Sequence, residues 1–119
     1  MLLFKPEHVV PILSGAKTQT RRVGARRWRE GAEHDARLNF TTPPFARLRI
    51  TSVRRQAVYR ISTADAVAEG YPNRQAFFAA WDRVTGEPRT TRVWVVSFVV
   101  VRAGDAPAAR PRNVRTAFP

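Results

Sequence analysis

The sequence predicts an α+β fold, a small β-barrel of mixed strand direction with short helices closing its ends. Three observations carry this expectation. Strand-like and helix-like segments interleave in the order β-α-β-β-β-α-α-β. The run Val93 to Val101 is strand-sized and apolar on both faces, as in a central strand. The helical segments are short and are stopped at Gly15, Gly70 and Gly86.

Leu2 to Lys5 reads as a first strand. Val9, Ile12 and Leu13 then fall at i, i+3 and i+4, a helical stripe beginning near Glu7 or His8. Pro11 lies in its first turn, where no N–H is needed. Lys17 to Val23 mixes Thr and Val with basic residues and predicts a polar strand. Gly24 to Glu30 is a loop, residues 31–40 a weak strand, and Thr41 to Pro44 a connector. From Phe45 to Val53, and on toward Val58, Ala46, Leu48 and Ile50 alternate with Arg47, Arg49 and Thr51. One face is therefore buried, and the other is basic and wet.

Ser62-Thr63-Ala64-Asp65 has the form of a capping box with Asp in place of Glu, opening a helix over residues 64–69. Asn73 is the next N-cap, and Phe77, Ala80, Trp81 and Val84 form an amphipathic stripe behind it. Arg92 to Arg102 is the final strand. Residues 1–102 are read as one domain. Residues 103–119, rich in Ala, Pro and Arg, are read as a flexible basic tail.

The chain of 119 residues contains no cysteine, which excludes disulfides and thiolate metal sites. Its two histidines, His8 and His34, lack paired spacing, so neither a metal nor a cofactor is expected. The opening Met1-Leu2-Leu3-Phe4-Lys5-Pro6 lacks the form of a signal peptide. No apolar stretch reaches the roughly 20 residues of a membrane span, so a cytoplasmic protein without membrane contact is expected. The formal charge of +12 points to a polyanionic partner, because neutralised phosphates release counterions. In the loop, Arg26, Arg27 and Arg29 surround Trp28. This is the composition of a nucleic-acid contact, with charge for the backbone and an aromatic ring for stacking. The competing reading folds Trp28 back onto the barrel.

Three segments in order resemble the ASCH domain, a member of the PUA-like superfamily. The first is Leu3 to Glu7 leading into Ile12 to Arg22, where Gly15, Lys17 and Arg22 match the family's Gly-x-Lys-x-x-x-x-Arg signature. The second is the strand Phe45 to Ile50. The third is Ala66 to Tyr71, followed by the Phe/Trp helix and the Val-rich last strand. Together they cover residues 2–101. The resemblance implies a PUA-like barrel with a cleft beside the Gly-Lys segment, and association with nucleic acid, RNA before DNA. It also implies an alternative. One branch of the family hydrolyses the amide of N(4)-acetylcytidine with a Lys, a Thr three residues on and a distant Glu, which fall here on Lys17, Thr20 and Glu69.

The residues themselves allow these roles. Lys17 is one of only two lysines in a chain whose other basic positions are Arg. An ammonium can lose its proton on burial and act as a base, which a guanidinium cannot do. Thr20 is then a nucleophile, or simply a good strand former. Glu69, at a helix C-terminus that disfavours carboxylates, pairs with a cation or is merely solvated. Arg22 offers a planar fork to phosphate or a base edge. A regular strand would place residues 17 and 20 on opposite faces, so convergence requires a bend near Lys17.

Overall fold

The computed structural model describes residues 1–104; the expected tail from residue 105 onward lies outside the described residues. Among them, five strands form one mixed sheet in the order β1-β3-β4-β5-β2. These are β1 (Leu2–Leu3), β2 (Gln19–Arg22), β3 (Glu33–Arg37), β4 (Ala46–Ala57) and β5 (Arg92–Ala103). β1 runs parallel to β3, and the other neighbours are antiparallel. No helix among the described residues is long and apolar enough to cross a membrane.

The last strand is central, as its two apolar faces require: β5 lies between β4 and β2. The strand expected over residues 45–53 extends through Ala57. It curls on the way, because register shifts between Arg47 and Leu48 and between Ile50 and Ser52 insert bulges. The sheet thereby forms a half-barrel whose edge strands are β1 and β2. Two apolar clusters fill the structure. Leu2, Phe4, Ile12, Leu48, Ile50, Val96 and Phe98 pack inside the curl. Val93 and Val95 meet Val58, Ile61, Phe77 and Trp81 beneath the helices. Each fully buried large side chain contributes about 1.5–3 kcal/mol.

The helices follow their caps. A 3-10 turn at Pro6–His8 leads into α1 (Val9–Ser14), which Gly15 ends at φ 85°. Ser62 Oγ accepts from Asp65 N at 3.0 Å and opens α2 (Thr63–Ala68). Asn73 Oδ1 accepts from Ala76 N at 2.8 Å and opens α3 (Arg74–Thr85). Val84 departs from expectation. It continues the stripe of Phe77, Ala80 and Trp81 but is 54 % exposed and lines the rim of a cavity. The polar face of β4 is covered by ion pairs to β3. Arg47 meets Asp35 at 2.9 Å, and Arg49 meets Glu33 at 3.2 Å.

Candidate functional site

The half-barrel leaves a seam between its edge strands, and the site occupies that seam. Arg22 on β2 reaches across it, donating from Nη2 to the carbonyl of Leu3 on β1 at 2.7 Å. Beside this bridge lies a cavity of about 270 Å³. Its polar wall includes Lys17, Thr20, Arg21, Arg22 and Glu69, and Phe4, Tyr71, Phe77 and Trp81 contribute apolar lining.

The bend required near Lys17 is present. β2 begins only at Gln19, and Thr18 is held between two elements: its N–H donates to Ala68 O at 2.8 Å, and its carbonyl accepts from Phe98 N at 2.9 Å. Lys17 thus enters from outside the strand while Thr20 and Arg22 project from one strand face. Lys17 is only 2 % exposed, and Nζ donates to Gln19 O at 2.9 Å, Glu69 O at 2.6 Å and Glu69 Oε1 at 3.3 Å. The other carboxylate oxygen of Glu69 accepts from Arg21 Nη1 at 3.0 Å. Thr20 Oγ1 accepts from Arg22 Nε at 2.9 Å, which leaves the hydroxyl proton free to point elsewhere.

This is a buried charge cluster in which Glu69 lies between Lys17 and Arg21, Asp65 meets Arg21 from the outside at 3.5 Å, and Arg22 is close by. Burial lowers the Lys17 pKa from its ordinary value, and the charge and hydrogen bond of Glu69 oppose that shift. Burial also lowers the pKa of Arg22, with Glu69 again opposing. The uncompensated positive charge favours an anionic or carbonyl-rich guest.

Gly70 completes the cluster at φ 104°, a conformation that L side chains rarely adopt. An added Cβ would lie 3.6 Å from Lys17 Cδ, an ordinary contact, so the cost of a side chain there is backbone strain. Gly70→Ala is expected to lower stability by about 1–2 kcal/mol, measurable by urea unfolding.

Sequence reasoning placed Lys17, Thr20, Arg22 and Glu69, and all four line one cavity. Arg26, Arg27 and Arg29 do not line it; they border a separate surface hollow with Trp28, Ala32 and His34. Trp28 is corrected from a stacking platform to a core residue. Its side chain is 8 % exposed and belongs to the cluster inside the curl, so most of the ring is packed in the core and only an edge borders the hollow. Two further site residues went unnoticed. Arg21, on the strand face opposite to Arg22, is the second partner of Glu69; only the charge excess hinted at it. His8, considered only as a metal ligand, lines the cavity edge-on to Tyr71 at 6.3 Å.

Burial, then the charge of Lys17, pushes the His8 pKa from 6.5 down to about 4. The ring is therefore neutral at pH 7. Between pH 6.5 and 4 the unfolded chain binds a proton at His8 that the folded chain refuses, so stability falls as pH drops through that window. His8→Gln is expected to flatten this slope in a series of thermal melts from pH 7 to 4. An unchanged slope would contradict the burial.

The sequence matches no family model and no curated protein. The fold has solved counterparts. A protein from Enterococcus faecalis described by the family-model DUF984 superposes with a TM-score of 0.61 at 20 % identity, over 82 % of this chain and 71 % of that one. The ASCH domain from Lactobacillus crispatus superposes with a TM-score of 0.59 at 20 % identity, over 79 % and 70 %. With its curled mixed sheet and short helices, this chain has the fold of the ASCH domain.

Proposed function

We propose that the protein binds single-stranded nucleic acid, RNA in the first place, by admitting one unpaired base to the seam cavity. The observation that carries this reading is the size and lining of the cavity. About 270 Å³ is near the lower end of small-ligand sites and too small for a base-paired helix. Aromatic lining suits the face of a base, while Thr20 and Arg22 suit its polar edge or an adjoining phosphate, with the Lys17 charge behind them. The test is fluorescence anisotropy with a labelled single-stranded RNA ten-mer and its duplex. Binding to the single strand should be tighter by tenfold or more and should weaken steeply with salt. Equal binding to the duplex would contradict the reading.

A second reading, an amidohydrolase of N(4)-acetylcytidine or a similar modified nucleoside, is favoured by the Lys17–Glu69 pair beside the Thr20 hydroxyl. Lys17 would act in its neutral form, which burial favours, with Glu69 holding Nζ in place. The neutral amine would then accept the Thr20 proton as Oγ1 attacks the acetyl carbonyl. That proton would pass to the departing cytosine amine, and water would release acetate from Thr20. Chromatography of N(4)-acetylcytidine incubated with the protein tests this. Cytidine release that disappears in Thr20→Val supports it, and no release leaves the binding reading alone.

A further inference from the structure

A row of side chains leads away from the seam cavity at Arg22. Arg22 on β2 is the register partner of Trp94 on β5, and Trp94 is the register partner of Arg55 on β4. Register partners point to the same face, so the three side chains form one row across the sheet. The row is also stacked: the Arg22 guanidinium lies 5.0 Å from the Phe4 ring centroid, and that of Arg55 lies 4.7 Å from the Trp94 ring. Arg26 joins it from the loop after β2, 5.5 Å from the same Trp94 ring. Trp94 is fixed by donating from Nε1 to Gly24 O at 3.1 Å, which ties the loop to the row.

The charges in this row differ from those of the other arginines on β4. Arg47, Arg49 and Arg54 are each paired with a carboxylate. Arg26 and Arg55 are exposed and form no ion pair among the described residues. Cation–π contact orders each guanidinium without neutralising it. The result is a preorganised line of positive charge from the cavity bridge to open surface. The expected pairing of an aromatic ring with loop arginines is therefore present, but the ring is Trp94 instead of Trp28.

We propose that the row Arg22–Trp94–Arg55, with Arg26 over the Trp94 ring, carries the sugar–phosphate strand adjoining a base held in the cavity. The ligand is then a single-stranded polynucleotide, not a free nucleoside. Arg26 and Arg55 contact phosphates, and Arg22 marks where the strand turns into the cavity. This rests on the base-binding reading of the cavity, and the two can fail separately.

The test is anisotropy with a fluorescein-labelled single-stranded RNA ten-mer between 50 and 200 mM salt, alongside calorimetric titration with cytidine monophosphate. The proteins are the wild type, Arg26→Ala/Arg55→Ala, and the charge-matched control Arg60→Ala/Arg102→Ala. The row variant should bind the ten-mer at least tenfold more weakly, with its log–log salt slope reduced by about 1.4 for two lost phosphate contacts. Its affinity for the mononucleotide should match the wild type, and the control should leave both readouts unchanged. Equal losses in row variant and control would overturn the proposal, as would an unaltered slope in the row variant or no ten-mer binding by the wild type. Ten-mer binding that depends on the row while the mononucleotide fails to bind would uphold the row and reject the cavity as a base site.

Discussion

Glu69→Gln is expected to produce the largest loss of stability of any single change at the site, about 3–5 kcal/mol. Glu69 is the one carboxylate that contacts both Lys17 and Arg21, at 3.3 Å and 3.0 Å. Glutamine has nearly the same shape, so packing is preserved and the effect is electrostatic. Its carbonyl can accept from one cation, but its amide group then turns N–H donors toward the other. Lys17 is left without an anion, and Arg21 keeps only its longer contact to Asp65, at 3.5 Å. The melting temperature should fall by more than about ten degrees, given several degrees per kcal/mol for a domain of this size. Adding Lys17→Met to Glu69→Gln should recover part of the loss, because it removes one uncompensated charge. A double variant less stable than Glu69→Gln would mean that Lys17 acts mainly by packing.

Lys17→Met alone is expected to behave in the opposite way, with a modest change in stability and a large change in function. Methionine keeps most of the aliphatic stem, and Glu69 keeps Arg21 as a partner. The stability cost is that of buried acceptors losing a donor, chiefly Gln19 O and Glu69 O, about 1–3 kcal/mol. Binding of a base in the cavity should nonetheless weaken by at least tenfold, because the loss of the ammonium lowers the positive charge there. Any N(4)-acetylcytidine hydrolysis should cease. Paired unfolding and binding measurements check both parts. Intact binding would assign Lys17 to structure alone.

The contrast between these residues shows what the sequence made legible. Lys17 stood out because Arg fills nearly every other basic position, and Glu69 because a helix C-terminus is a poor place for a carboxylate. Both signals are local. The strand of Val93 to Val101 and the caps Ser62 and Asn73 were legible for the same reason, since periodicity and capping act within a few residues. Arg21 was not legible, because its role depends on Glu69, 48 positions away. Trp28 and Trp94 were exchanged on similar grounds. An aromatic among arginines resembles a contact surface, and one inside a Val run resembles core. Trp28 packs inside the curled sheet, and the bulges that curl β4 leave no clear mark in composition. His8 was overlooked because its neutrality arises from burial and from the charge of Lys17, both tertiary effects.

The central claim is that the seam between β1 and β2 is a base-sized binding site. The most direct measurement is amide chemical-shift mapping of the labelled protein titrated with cytidine monophosphate. Shifts should concentrate at Lys17, Thr20, Arg22, Glu69, Gly70 and Tyr71, with smaller changes toward Trp94, and should saturate at one equivalent. Shifts confined to the Arg47 and Arg49 face, or scattered over the surface without saturation, would contradict the claim.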